Sequence, residues 1–450
     1  MIRIFSLSAV LLMICGMVAW FMLREEPTLS VVNLPAVRAG VPALSTDLAT
    51  NTGPIIAWSA HTQSRFEPCG CTAGMYGGLV RRAGLLARVP ADKLLSLELG
   101  GWSAGKEAHQ VLKRGFYLRG LRDAGIDAVA LGAAEVALGA PILVGLAKEA
   151  EKQGLPLLAA NVQGVAGIVP SVRVTVAGKE FVLTAVVPRT AVGDGVTVLD
   201  PADSLVSVLA AAGTADVVVM ADLSETALAD LARAHPRLAL IVGGAVDGPT
   251  PQPLTIGAVR VIHVASHGKT IGWWAWGATN CRFDLIPDSL PDAPAVRALI
   301  GDYQRTLAVT DLPIDHGERS GKYVGDATCI ACHTNAAAIH APTRHAHAFA
   351  SLEKKGYQAD PECLRCHVTA FAQPGGYRRP DAAVRDSRMS VSCESCHGPG
   401  QAHVTAGGRG SPLRPVGAAT CVSCHDAENS PKFQFDAYWG KVKHEKDPSR

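Results

Sequence analysis

The chain has 450 residues, with 42 Lys and Arg against 40 Asp and Glu and a formal charge of +2. That length exceeds one ordinary hydrophobic core, so two or three domains are expected. The near balance of charge argues against nucleic acid as a partner, because phosphate recognition needs a strongly basic surface.

The first stretch, Ile4 to Leu23, is 20 residues without a charge. As a helix rising 1.5 Å per residue it is about 30 Å long, enough to cross the hydrocarbon core of a bilayer. Arg3 precedes it and Arg24-Glu25-Glu26 follow, which favours a cytoplasmic N-terminus with the remainder outside. Trp20-Phe21-Met22-Leu23 offers no small-residue cleavage site. Residues 1–23 are expected to be an uncleaved membrane anchor, with a removed signal as the alternative. Cys15 is a poor lipoprotein cysteine, since Ile14 before it is large. Residues 24–52, interrupted by Pro27, Pro35 and Pro42, show no hydrophobic period and read as a tether.

Residues 53–290 change in texture. Short apolar runs predict strands at Ile55–Ser59, Leu94–Leu99, Ala128–Leu131, Pro156–Asn161, Asp216–Met220 and Leu238–Val242, with helices over Gln110–Ala124 and Pro141–Gln153 between them. That alternation predicts an α/β domain with buried strands. Val172–Val176 and Glu180–Val187 read as a hairpin, and Arg260–Ala265 and Gly272–Trp276 as later strands, so the sheets are mixed. Trp273, Trp274 and Trp276 read as packing residues. His109, His235 and His263 stand alone in sequence and read as surface or satisfied core histidines. Cys69 and Cys71 follow the first strand, and the carboxyl ends of such strands are where open α/β sheets bind ligands. Two readings stay open there: a structural disulfide, with Cys281 as a candidate partner, or a soft-metal or redox site.

A helical pattern over residues 292–309, with Asp292 as its candidate cap, falls in an expected linker at 291–322. Beyond it, at 323–450, one pattern occurs four times: Cys329-x-x-Cys332-His333, Cys363-x-x-Cys366-His367, Cys393-x-x-Cys396-His397 and Cys421-x-x-Cys424-His425. With 12 Cys and 15 His in the chain, chance gives roughly 0.01 such patterns. Zinc knuckles or redox pairs would not place His after the second Cys every time. The pattern is the attachment signature of haem c: two thiols bond the porphyrin edge and the adjacent imidazole becomes the proximal iron ligand. Four covalent haems are expected, on the exported side of a membrane.

Four haems in so short a region leave little room for a side-chain core, so the haem-free form should be largely disordered. Outside the motifs the C-terminal part of the chain offers His316 in the linker, then His340, His345, His347, His403 and His444, with Met389 as the methionine of 323–450. That surplus favours bis-histidine ligation, hence lower potentials than His/Met ligation.

Two resemblances extend these readings. Gly77-Gly78-Leu79-Val80-Arg81-Arg82, Leu97-Glu98-Leu99-Gly100-Gly101, Ala130-Leu131-Gly132, Leu158-Ala159-Ala160-Asn161-Val162, Ile241-Val242-Gly243-Gly244 and Ala265-Ser266-His267-Gly268-Lys269 together resemble the calcineurin-like metallophosphoesterase framework, in its 5′-nucleotidase branch. The resemblance implies two metals held by Asp, His and Asn at strand ends. This chain departs from it: Ser59-Ala60-His61 stands for Asp-x-His, Gly100-Gly101 for Gly-Asp, Gly132-Ala133-Ala134-Glu135 for Gly-Asn-His-Asp/Glu, and Gly244-Ala245-Val246-Asp247 for Gly-His-x-His, while Ala221-Asp222-Leu223 lacks the expected histidine. Only His61, Glu135 and Asp247 remain as candidate ligands, so loss of the metal site and of phosphoesterase activity is expected.

The second resemblance covers residues 323–450. Tyr323-Val324-Gly325, Arg344-His345-Ala346-His347-Ala348-Phe349, Cys393 to Gly400 with His403, and Tyr438-Trp439-Gly440-Lys441-Val442-Lys443-His444 resemble the cytochrome c-554-type tetrahaem family. It implies His345, His403 and His444 as distal ligands, His347 next and His340 in reserve. The expected fold is an α/β N-terminal domain of mixed sheets with flanking helices, a small multihaem region of mostly α and irregular structure, and one N-terminal transmembrane helix. The expected function is membrane-anchored periplasmic electron transfer with redox partner proteins. The alternative is an oxidoreductase acting on a small nitrogen or sulfur compound at a five-coordinate haem.

Overall fold

The computed structural model describes residues 30–31, 51–68, 75–103, 105–246, 252–265, 268–287, 289–312, 322–378, 388–408, 414–426 and 429–444. The expected anchor at residues 4–23, most of the tether, Cys15, Cys69, Cys71, Asp247, Ser266, His267 and His316 lie outside them. Among the described residues no helix is long and apolar enough to cross a membrane.

Two sheets build the N-terminal portion. The first has six strands in the order β15 (Arg282–Leu285), β14 (Thr270–Ala275), β2 (Ile55–Ser59), β3 (Leu94–Glu98), β4 (Ala128–Ala130) and β5 (Leu157–Leu158). Strands β2 to β5 run parallel, and β14 joins β2 antiparallel. The second has seven, ordered β1 (Ser30–Val31), β7 (Ser171–Val176), β8 (Lys179–Val186), β10 (Asp216–Ala221), β11 (Leu240–Val246), β13 (Val259–Ala265) and β12 (Leu254–Ile256). A small ribbon pairs β6 (Val162–Gln163) with β9 (Thr197–Val198).

The period of two along each strand sorts the core into layers. Ile56 and Trp58 of β2 face the second sheet and pack with Phe181, Leu183, Met220 and Val242. Ile55 and Ala57 face outward, against α1 (Leu79–Leu86), α2 (Ala108–Asp123) and α4 (Ala140–Lys152), with the single-turn α3 (Ala133–Val136) between. Val217 and Val219 of β10 face the other way, under α5 (Pro201–Ala212) and α6 (Glu225–Ala234). The result is a helix–sheet–sheet–helix sandwich. Local chemistry starts the helices: Asp200 accepts from the backbone N–H groups of Ala202 and Asp203, with Pro201 in the first turn of α5, where its missing N–H costs nothing.

Three expectations need adjustment. The strand expected over Pro156–Asn161 ends at Leu158, because the chain then crosses to the second sheet: the Ala160 N–H donates to Ala185 O, and Asn161 side-chain N–H groups reach Val187 O and Leu199 O. Asp292 does not cap the next helix, α7 (Pro294–Val309), whose cap is Ala293. Asp292 pairs instead with Arg297 and Arg81. Helix α7 is also no loose connector, since Val296, Ile300, Tyr303 and Leu307 belong to the core beneath α1 and α2.

Residues 322–444 form short helices in irregular chain: α8 (Asp326–Ile330), α9 (Thr334–His340), α10 (Ala348–Glu353), α11 (Pro361–His367), α12 (Cys393–His397), α13 (Gln401–Thr405), α14 (Ala418–Cys421) and α15 (Phe435–Trp439). Their own apolar cluster is Phe349, Leu352, Leu364, Val368 and Tyr377. Ala359 instead joins the core of the α/β portion, with Tyr357 packed against it.

Candidate functional site

Each Cys-x-x-Cys-His motif lies on a turn of helix. In the first, the His333 N–H donates to Cys329 O at 2.9 Å; in the fourth, the His425 N–H donates to Cys421 O at 2.9 Å. The second and third fall within α11 and α12. One helical turn sets the first Cys, the second Cys three residues on and the His four residues on along one face. Asp360 accepts from the Glu362 N–H at 3.0 Å, and Pro361 opens α11, so the second motif sits on a well-capped helix.

The structure brings the histidines together in pairs from distant parts of the chain. His333 faces His403 with ring centres 6.2 Å apart, His425 faces His345 at 6.1 Å, and His397 faces His444 at 5.8 Å. An iron between two imidazoles needs donor nitrogens about 4 Å apart, twice a metal–nitrogen bond of roughly 2 Å, and therefore ring centres about 6 Å apart. The three pairs fit that requirement. Burial is the main cause holding the His345, His397 and His425 rings below the ordinary imidazole value, and the neutral ring is the metal-binding form. His367 is oriented differently: its Nδ1–H donates to Ala348 O at 2.9 Å, which fixes the tautomer and leaves Nε2 for iron. His340 has a structural bond instead, its Nε2 donating to Val391 O at 2.9 Å. His347 stays exposed at the head of α10.

The motifs adjoin one another in a fixed succession. The Cys329 and Cys393 thiols are within electrostatic reach of one another, as are those of Cys366 and Cys424, and Cys396 is within reach of Cys421. The first motif therefore lies beside the third, the third beside the fourth, and the fourth beside the second. Glu394, buried, ties this group together by accepting the N–H groups of Val324, Gly325 and Gly400 at 2.7–2.9 Å.

The cleft of the α/β portion is closed by small residues and internal bonds. A Cβ at Gly100 would lie 2.6 Å from Gly132 Cα, and one at Gly132 would lie 2.8 Å from Asp222 Oδ2. No ligating side chain fits at either point without moving backbone. Glu135 is occupied: its carboxylate accepts the N–H groups of Gly101, Gly132 and Ser103 at 2.8–2.9 Å. Burial still pushes its carboxyl above the ordinary value. Asp222 accepts from the Ala133 N–H at 2.7 Å. Among the described residues no three His, Cys, Asp or Glu side chains group as a metal site. His61, Gln63 and Ser64 all have positive φ, at 52°, 49° and 53°, and non-glycine residues hold that conformation only where their surroundings enforce it. Here bonds from the N–H groups of His61, Gln63 and Ser64 to Gly100, Gly101 and Trp102 carbonyls do so.

Beneath this loop lies a cluster that sequence reasoning passed over. Glu98, fully buried, pairs with Arg82 at 2.6 Å and accepts from the Thr62 hydroxyl, while Arg82 also donates to Tyr117 Oη at 3.3 Å. Burial raises the Glu98 carboxyl, opposed by Arg82. Both residues stand inside the framework motifs quoted above. The isolated histidines are accounted for locally: His235 Nε2 donates to Ala202 O at 2.9 Å, and His263 is 3.4 Å from Glu225. Cys281 is buried with a free thiol, which burial pushes up to about 12.

Parts of the chain are similar to known proteins. Residues 328–398 match the family model described as "Cytochrome c554 and c-prime". Cytochrome c-554 of Nitrosomonas europaea is 34% identical over 94 residues, 18% of this chain. The matched part spans 39% of that cytochrome. Among solved structures, a 5′-nucleotidase precursor of Thermus thermophilus is similar over 67% of this chain and 68% of its own, with 20% identity and a TM-score of 0.48. An NAD nucleotidase of Haemophilus influenzae is similar over 60% of this chain and 63% of its own, with 14% identity and a TM-score of 0.47. Residues 328–398 thus resemble the cytochrome c-554 family, and the four Cys-x-x-Cys-His motifs are c-type haem attachment signatures.

Proposed function

We propose that the chain is a tetrahaem c-type cytochrome that carries electrons, anchored through residues 4–23 on the periplasmic side of a bacterial cytoplasmic membrane. In this reading its α/β portion is non-hydrolytic and serves to bind a redox partner or ligand. The observation that carries the reading is the opposition of His333 with His403, His425 with His345 and His397 with His444 at 5.8–6.2 Å, each pair including the histidine of one attachment motif. Bound haem supplies a one-electron ferric/ferrous couple. The motif cysteines would hold each haem, and the paired imidazoles would ligate the iron and favour a low potential. The succession of motifs one, three, four and two supports transfer between neighbours rather than four isolated centres.

The test starts with a pyridine haemochrome, expected to give four haems per chain. His403→Ala, His345→Ala and His444→Ala should each turn one haem from low spin to high spin, read by EPR. Fewer than four haems would overturn the count, and three silent variants would overturn the ligand pairs. A carbon monoxide shift in the reduced wild type would instead support small-molecule chemistry at an open iron.

A further inference from the structure

Among the described residues, contacts between the α/β portion and residues 322–444 gather at the segment before Cys363. Lys113 on α2, buried, forms a 2.6 Å ion pair with Glu362, and Gln110 of the same helix donates to the same carboxylate. Gln304 on α7 donates to Asp360 at 2.8 Å, both side chains being buried. Arg297 donates to Tyr357 Oη at 3.2 Å and pairs with Glu67 at 2.7 Å, and Glu67 accepts from the Tyr357 hydroxyl. Tyr303, packed between Phe66 and Phe116, lies within electrostatic reach of Asp360, Glu362 and Cys363. These contacts converge on Tyr357–Glu362, immediately before Cys363.

That convergence has an electrostatic consequence. Asp360 and Glu362 place two carboxyl groups at the start of the helix that carries the second haem motif. The α/β portion opposes the second of them with a buried cation, Lys113. Burial favours a neutral Glu362, but Lys113, Gln110 and His109 outweigh it and hold the carboxyl below its usual range. The ion pair thus fixes both charges beside one haem attachment. Oxidised haem carries one more positive charge than reduced haem, and fixed charges in partly dry protein act more strongly than in water. A cation there raises the potential of the neighbouring haem, and an anion lowers it.

We infer that the α/β portion is the positioning cradle of the second haem, with Lys113 setting that haem's potential relative to the other three. The inference rests on the tetrahaem reading above. Lys113 touches no iron ligand; it acts through Glu362 and α11.

The experiment is a potentiometric titration of the full haem-loaded chain, with individual haems resolved by EPR and optical spectra. Lys113→Met should shift the reduction equilibrium of one haem about threefold toward the oxidised form, roughly 28 mV at 59 mV per factor of ten for one electron. Lys113→Arg should restore it. Glu362→Gln should shift the same haem in the opposite direction, and carries the test alone if Lys113→Met fails to fold. Unmoved potentials, equal shifts in all four haems, or shifts of one sign in both variants would overturn the inference. Fewer than four haems in the wild type would overturn the tetrahaem reading instead, so the two failures are distinguishable.

Discussion

In the α/β portion, Ile55, Trp58, Leu97, Trp273 and their neighbours are closed off from solvent by other side chains. In residues 322–444 the helices α8, α9, α13, α14 and α15 bury no residue at all. Both regions take up definite backbone shapes, but only the first has an apolar core able to offset the entropy of ordering its chain. The second sets imidazole rings from distant parts of the chain in pairs 5.8–6.2 Å apart. On the tetrahaem reading its solidity comes from the bound haem.

The largest effect should follow from withholding that group. Chain produced without haem attachment should lose the ordered structure of residues 322–444 while residues 51–309 keep theirs, because binding free energy is folding free energy in such a region. Limited proteolysis with mass mapping checks this. Cleavage should concentrate beyond residue 322, and equal protection of both regions would remove the contrast.

A second test strikes the α/β core where it is polar. Arg82→Met strands the fully buried Glu98 carboxylate without its 2.6 Å partner. Breaking a buried pair from one side typically costs about 3–5 kcal/mol, which a urea titration of the α/β transition would read. Replacing both partners, as Arg82→Met with Glu98→Leu, should recover much of the loss, because no uncompensated charge then remains.

The sequence made some of this legible for physical reasons. Fully buried parallel strands such as Ile55–Ser59 and Leu94–Glu98 announce themselves as continuous apolar runs. The attachment motifs are local, so spacing alone identifies them. The partner of each iron is not local: His403 lies 70 residues from His333, and His345 lies 80 residues before His425. Motif spacing could supply candidates, not pairings. The seam at Lys113 and Glu362 was hidden for the same reason, since a charged residue on a helix reads as a solvated face until a second element covers it. The closed cleft was half visible. Missing ligands showed as Gly100-Gly101 and Gly132-Ala133, but the close backbone approach that fills their place is a tertiary fact.

That approach yields the third test. Gly101 has φ +78°, and a Cβ there would lie 2.5 Å from His61 Nδ1. Gly101→Ala therefore combines left-handed strain with overpacking and should destabilise the α/β portion by about 1–3 kcal/mol. Gly145→Ala, where nothing lies within 4 Å of the added atom, sits inside α4 and should be neutral or slightly stabilising. Urea midpoints of the two variants separate them. A harmless Gly101→Ala would mean the cleft still has room for side chains.

The smallest effect expected is a pH dependence at the seam. Burial holds His109 below its ordinary value of 6.5, although Glu362, Asp360 and Glu107 pull it up and Lys113 pushes it down. The folded form therefore resists a proton that the unfolded chain accepts below about 6.5, so stability is full above that pH and falls as acid is added toward the folded value. Thermal midpoints between pH 7 and pH 5 should drop less for His109→Gln than for the wild type. Identical slopes would show that His109 keeps its proton affinity on folding, and would place the acid sensitivity of the seam on Glu362, whose carboxyl is held below its usual range.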